Sequence, residues 1–340
     1  MEQLVQKPLV AQSSNLKEPS PRASRRENHG LRDFHWRQRF REGAIHVFLA
    51  VNGYLAIVLI GLIFLFLFKE GFHALQTIKP MQWIGNKTLD FDGREVFSFV
   101  WQPLSNTPKY SLLPLLSGSF LVALPATFFS TLIGIGCGVY LAELASQRTR
   151  EILKPIVELL AGIPTVVIGF LALSVLATLV QNFFHTHFRL NAFVGALGVS
   201  LVIIPVIASM TEDALRAVPN ELREASYGLG ATRWETLSKV ILPAGVSGIS
   251  ASILLGMGRA LGETMIVLMA TGNAALFTGN IFSSVRTMTA TIASELGSSA
   301  QGSEIYYALF FVGSVLFTIT FFINLISEVV VERMRRRLRL

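Results

Sequence analysis

Two charged residues in an apolar stretch, Arg259 and Glu263, are the first candidates for chemistry in this chain. They stand in Gly258-Arg259-Ala260-Leu261-Gly262-Glu263-Thr264-Met265, near the middle of a run long enough to cross a membrane. An ionised side chain there costs about 2.5–3.5 kcal/mol on insertion scales, so its retention calls for a reason. On a continuous helix the four-residue spacing puts both groups on one face, where guanidinium and carboxylate can pair. A planar guanidinium also fits a phosphate or carboxylate bidentately. Two readings follow. One is a buried ion pair that sets helix register. The other is an anion site in which Glu263 holds the Arg259 side chain when the site is empty. Ser252 and Gly256 fall on the same stripe. Gly248, Ser252, Gly256 and Ala260 form a line of small residues that lets another helix approach closely. The charged face is therefore expected to be packed.

A second constellation is Glu224-Ala225-Ser226-Tyr227-Gly228-Leu229-Gly230, followed after nine residues by Val240-Ile241-Leu242-Pro243. It is a polar element between two apolar runs. Pro219-Asn220 is a reasonable helix start. Gly228 and Gly230 interrupt that helix and allow a sharp reversal. An amphipathic connector between two spans is the plainest account of the residues taken alone.

Other chemistry is thinly supplied. No Gly-x4-Gly-Lys-Ser/Thr stretch is present, so a P-loop is not expected. His185 and His187 could hold a metal, but no acidic residues stand near them in sequence. Asp90-x-Asp92-Gly93 lacks the remaining ligands of a calcium loop and reads as a turn. Cys137 is the single cysteine and excludes an internal disulfide.

The elements that must position these groups are membrane spans. Of the 340 residues 51% are hydrophobic and 15% charged, and the mean hydropathy is +0.53. A water-soluble domain needs more charge than this. Six apolar runs, at 44–68, 115–141, 156–180, 193–210, 247–270 and 306–330, are each near the length needed to cross the hydrocarbon core. Lipid offers no hydrogen-bond partner, so each is expected to be helical. Pro125, Pro164 and Pro205 read as tolerated kinks within them. The expected fold is an all-α integral membrane protein with six transmembrane helices.

Placement of Lys and Arg orients the spans. The basic N-terminus, Arg148/Arg150/Lys154, Arg216/Arg223/Arg233/Lys239 and the Arg333-Met334-Arg335-Arg336-Arg337 tail fall on one side, expected to be cytoplasmic with both termini. The 211–246 segment falls there too. Residues 1–43 are expected to form a basic, largely disordered tail without a cleavable signal, with 31–40 as a possible interfacial helix. Nucleic-acid binding is not expected, since basic residues beside a first span are ordinary. The 69–111 segment is expected outside, with Trp83 and Trp101 as interfacial anchors. The outer 271–304 loop could re-enter the membrane or line a vestibule.

The second constellation resembles the EAA loop of ABC-importer permeases, with Ser226 and Val240 as small departures from the usual Ala and Ile. The resemblance implies a short helical hairpin docking into a groove of a cytoplasmic ATPase. Glu224, Ala225, Ser226, Gly230, Val240, Leu242 and Pro243 would then form the coupling element. Gly-Arg-Ala-Leu-Gly-Glu-Thr after that loop, with Ala161-Gly162-Ile163-Pro164 in the third span, is similar to phosphate-specific members of this family. The 113–118 and 140–144 runs, and Met265 to Asn273, resemble the PstC-type subunit. From residue 112 to 340 the chain would be a type I permease core of five helices following a first span at 44–68. The resemblance implies a phosphate permease of the bacterial inner membrane, with Arg259 and Glu263 in the substrate pathway and no catalysis of its own. Its partners would be an ABC ATPase dimer that binds ATP and Mg, a PstA-type second permease, a periplasmic phosphate-binding protein and membrane lipid. Rival readings are a permease for sulfate, molybdate or phosphonate, a proton-coupled secondary transporter using Glu263, and a membrane sensor.

Overall fold

The structure, a computed structural model, describes residues 21–89 and 95–338. The first twenty residues of the expected tail, and the Asp90-x-Asp92-Gly93 turn, lie outside the described residues. The chain divides into two compact units, one ending at Phe64 and the other starting at Leu65.

Helix α1 (Pro21–Thr77) is unbroken. No change from disordered tail to span occurs near residue 43 among the described residues, and 31–40 is not a separate helix. The 21–43 stretch is rich in Arg, which loses little freedom in a helix, and no proline follows Pro21 within it. From Leu65 onward α1 belongs to the second unit. There the Leu67 carbonyl accepts a 3.1 Å bond from the Ser314 hydroxyl.

A small folded module follows. Helix α2 (Pro80–Ile84) leads into strands β1 (Asn86–Leu89) and β2 (Glu95–Ser98), antiparallel with Asn86 opposite Ser98. Strands β3 (Trp101–Gln102) and β4 (Lys109–Tyr110) pair antiparallel with Trp101 opposite Tyr110. Trp83 and Trp101 are buried here against Tyr110 and Leu115 and are not surface anchors. Ring contact with Tyr110 and Phe311 gives the Trp83 indole an apolar seat within the protein. Trp101 Nε1 donates to Glu295 Oε2 at 3.0 Å. Burial first, then the Glu304 charge and the bond to it, push the Tyr110 phenol up to about 12, so it stays a neutral donor.

The bundle itself begins with α3 (Leu113–Val139), which widens into a π turn at Tyr140–Leu144. Helix α4 (Gln147–Ala161) is amphipathic and buries none of its residues fully. Helices α5 (Thr165–Leu171) and α6 (Ala177–Phe184), joined by a π turn, make the third span. That span starts at Thr165, not near 156 as expected. Pro164 is the extended residue preceding α5, not a kink within it, and Gly162-Ile163 separates α4 from the membrane-crossing part.

Helix α7 (Ala192–Arg216) is apolar on all sides and forms the centre of the bundle, packed by α3, α4 and α10. Helices α8 (Asn220–Gly228) and α9 (Arg233–Thr236) make a hairpin that runs through a π turn into α10 (Leu242–Gly262). The fifth helix does not continue to residue 270. It stops at Gly262, and a short α11 (Met265–Ala270) resumes after an extended Glu263. Helix α12 (Met288–Glu295) is buried against α3, α11 and α13 (Glu304–Leu338), so much of the 271–304 loop is a folded insertion. Its Thr289 hydroxyl donates to the Glu263 carbonyl at 2.6 Å.

Among the described residues six helices are long and apolar enough to cross a membrane: Ile45–Thr77, Leu113–Leu144, Thr165–Phe184, Ala192–Arg216, Arg233–Gly262 and Glu304–Arg333. The hairpin and the α2–β4 module therefore stand at opposite ends of the bundle.

Candidate functional site

The hairpin is built from local bonds that its sequence dictates. Pro219 is extended and starts α8. Gly230, at φ +84°, ends it in a left-handed conformation that a side chain disfavours. The Gly230 amide donates to the Tyr227 carbonyl at 2.9 Å, and the Ala231 amide to the Ser226 carbonyl at 3.2 Å, the paired bonds of a Schellman stop. Gly228 is still helical, so the reversal belongs to Gly230 alone. Thr232 and Glu235 then form a capping box that starts α9. The Ser226 and Thr236 hydroxyls, both buried, meet at 2.8 Å and tie the two arms together. Ser226 is thus more than a small replacement for alanine, because it closes the hairpin.

What the hairpin presents is as definite as what it buries. Glu224 and Ala225 are exposed, and among the described residues Glu224 has no partner within the chain. Leu229 is 90% exposed and Trp234 is 69% exposed. Val240 and Leu242 are half-buried at the base, and Pro243 lies in the first turn of α10. Beneath them Leu215, Leu237, Ile241 and Ile249 form an apolar footing shared by α7, the π turn and α10.

Two charge clusters brace this end, and the sequence reading used their basic members only to orient the spans. Glu212 on α7 is fully buried and pairs with Arg150 at 2.6 Å. Lys154 Nζ lies 3.1 Å from Glu212 Oε2 and 3.1 Å from Asp213 Oδ1. Burial alone would lower the Lys154 pKa, but its contacts with Asp213 and Glu212 outweigh that and raise it, so the ammonium stays charged. These bonds hold α4 on α7. The second cluster joins Arg223 to Glu143 at 2.8 Å. A charge three residues before the Ser146 cap of α4, at the end of an apolar run, was the available sequence signal for Glu143.

The mid-span constellation differs from expectation. Gly248, Ser252, Gly256 and Ala260 do pack on a neighbour, and it is α7. A Cβ at Gly248 would stand 2.3 Å from the Ala214 Cβ, and Ser252 meets Thr211 at 3.4 Å. Arg259 is not on that packed stripe. One residue from Ala260 is about 100° around a helix, and Arg259 is exposed. No ion pair joins it to Glu263 among the described residues, because the helix ends between them. Glu263 turns forward instead, and its Oε1 accepts from the amides of Met265 at 3.1 Å and Ile266 at 3.3 Å, capping α11. The structure thus separates the two residues into a solitary exposed cation and the cap of a helix break.

His185 closes α6 in a left-handed conformation, and both His185 and His187 are exposed. Among the described residues no group of three or more His, Cys, Asp or Glu stands together.

Six spans, a rigid hairpin at one end and a solitary cation within a span are the build of a membrane transport subunit. A family model described as binding-protein-dependent transport system inner membrane component matches residues 134–336. A probable ABC transporter permease protein, YqgH, of Bacillus subtilis is 35% identical over 236 residues, 69% of this chain and 76% of that one. The phosphate transport system permease protein PstC of Mesorhizobium japonicum is 33% identical over 306 residues, 83% of this chain and 88% of that one. A solved inward-facing MetNI methionine ABC transporter shares the fold at TM-score 0.51 and 18% identity, covering 64% of this chain and 93% of that one.

The chain belongs to the family of binding-protein-dependent transport system inner membrane components. It is a multi-pass inner-membrane permease subunit with the type I ABC importer fold.

Proposed function

We propose that this chain is one of two permease subunits of an ATP-driven importer of inorganic phosphate. The observation that carries the reading is Arg259, an exposed guanidinium within a span that has no partner in its own chain among the described residues. A lone cation in lipid would be costly, so it faces a second subunit or an aqueous path. The likeness to the PstC protein over most of the chain supports phosphate as the anion. Arg259 offers one bidentate charge, an attractive step weak enough to permit release. Glu263 serves the pathway by holding the break at α11.

Glu224, Ala225, Ser226, Gly230, Val240, Leu242 and Pro243 couple this subunit to an ABC ATPase dimer that binds ATP and Mg. Glu224, Leu229 and Trp234 form the docking face, while Ser226 and Gly230 keep it rigid. The hairpin end and both termini are cytoplasmic, as the flanking Lys and Arg favour. A PstA-type permease completes the pathway, and a periplasmic phosphate-binding protein delivers the anion at the α2–β4 end. Closure of the ATPases pulls the hairpins and turns the cavity outward; hydrolysis resets it.

The test is labelled-phosphate uptake in a strain lacking this gene, complemented by wild type or Arg259→Gln, with labelled sulfate in parallel. Phosphate-selective rescue by wild type, with uptake lost in a fully assembled Arg259→Gln complex, is expected. Rescue of sulfate would remove the phosphate assignment. Normal uptake by the assembled variant would remove Arg259 from the pathway.

A further inference from the structure

Arg223 stands beside Glu224 in sequence but turns the other way. Its guanidinium reaches four oxygens on three elements. Nη2 donates to Glu143 Oε1 and to the Leu215 carbonyl, both at 2.8 Å. Nη1 donates to the Val218 carbonyl and to Asn220 Oδ1. Leu215 lies in the last turn of α7, where its carbonyl also accepts from the Val218 amide at 3.2 Å, and Val218 lies just beyond; a cation is favoured at this helix end. Glu143 lies in the π turn that ends α3. The side chains of Arg223 and Glu143 are 16% and 12% exposed, so this is a shielded pair and not a solvated surface contact.

We propose that the Arg223–Glu143 pair is the positioning link that carries movement of the hairpin into α3 and α7. The inference rests on the reading of 211–246 as the coupling element. The geometry argues for it in three ways. First, the link starts one residue from the exposed Glu224, so a load on the docking face reaches it without passing through a flexible segment. Second, a planar fork with two occupied nitrogens fixes orientation as well as distance, which a point charge cannot do. Third, the receiving end is a π turn, a wide turn that often marks functional positions inside helices. The apolar footing under the hairpin joins the π turn and α10 to α7 and includes no residue of α8. The ion pair adds a directional bond to α3, which the helix pair α7–α10 alone does not supply.

Cys137, the single cysteine, sits on α3 six residues before Glu143 and is half-buried. It is a native reporter of movement at that end of α3. The experiment uses the complete transporter in proteoliposomes and measures the Cys137 alkylation rate by N-ethylmaleimide, with and without ATP, identified by peptide mass. Phosphate accumulated per ATP hydrolysed is measured on the same vesicles. Couplings between sites of ordinary strength change an equilibrium by roughly 5–150-fold. Arg223→Gln and Glu143→Gln are therefore each expected to abolish the ATP-dependent change at Cys137 and to lower uptake per ATP at least about fivefold, with complex recovery unchanged. Arg223→Lys should fall between. The exchanged pair Arg223→Glu with Glu143→Arg should recover part of both readouts, which loss of a merely structural contact would not predict.

Three results overturn the proposal. They are an unaltered ATP response at Cys137 in both single variants, no ATP response in the wild type, and failure of both variants to assemble. The last would make the pair a folding bond only. Failure of the docking reading shows separately, as full ATPase recovery on a Glu224→Lys chain.

Discussion

The two ends of this bundle treat their tryptophans in opposite ways. At the α2–β4 end Trp83 and Trp101 are 6% and 1% exposed, and each packs on Tyr110. At the hairpin end Trp234 is 69% exposed and Leu229, five residues earlier in the chain, is 90% exposed. Both regions connect spans, and both are polar enough to lie in water. The first completes an apolar core of its own, with Leu115, Met288 and Leu309 drawn in from α3, α12 and α13. The second spends its internal bonds on shape, through the Schellman stop, the capping box and the Ser226–Thr236 contact, and leaves its apolar tips outside. Burial of an aromatic stabilises the fold that contains it, whereas an aromatic held rigidly in water awaits a partner.

That contrast can be broken at either end. The largest effect is expected from Trp101→Ala, which deletes a fully buried indole and strands Glu295 without its 3.0 Å donor. Such a change costs about 3–5 kcal/mol, and a lowered Tm of the detergent-purified chain checks it. If Trp101 were a surface anchor, the Tm would hardly move. Next comes Leu229→Ala combined with Trp234→Ala. The stability of the chain should stay within about 0.5 kcal/mol of wild type, as for surface sites, so its Tm should hardly move. ATPase retention in a pull-down should weaken by about 2 kcal/mol or more, the scale of interface anchors. Full retention would remove both residues from the docking face. The smallest effect is expected from Ser226→Ala, which removes one buried hydroxyl bond worth about 1 kcal/mol and places alanine where the family motif carries it. Hydrogen exchange of the α8–α9 amides should quicken modestly while uptake persists. Loss of uptake would mean that the hydroxyl does more than close the hairpin.

How much the sequence revealed depended on the range of the forces involved. The ends of α8 were legible because their signals are local: Pro219 and Gly230 each act within four residues; the Thr232–Glu235 box is as local but went unread. The number of spans was legible because hydropathy needs only length. The Arg259–Glu263 pairing was not, since it assumed a helix unbroken past Gly262. The break carries no proline. Glu263 secures it by capping α11, and Thr289 secures it by bonding the Glu263 carbonyl from residues far along the chain. The start of the third span was misplaced for a related reason. The 156–164 stretch is apolar enough to join the span by hydropathy, yet α4 is held along α7 by Glu212, Arg150 and Lys154. Charge counting assigned Arg150, Lys154 and Arg223 to a side of the membrane but said nothing of which carboxylate each would meet. Those partners lie 62, 58 and 80 residues away, respectively, at Glu212 and Glu143.

The uncovered hairpin tip also bears on how the subunit is made. A chain that has entered the membrane before its ATPase arrives already holds Leu229 and Trp234 out on a stiff support. Exposed apolar side chains in water invite unintended association, and Gly230 and the Ser226–Thr236 bond fix the tip that carries these two. Under the docking proposed above, newly made copies in excess of the ATPase carry an exposed mark that assembled copies lack.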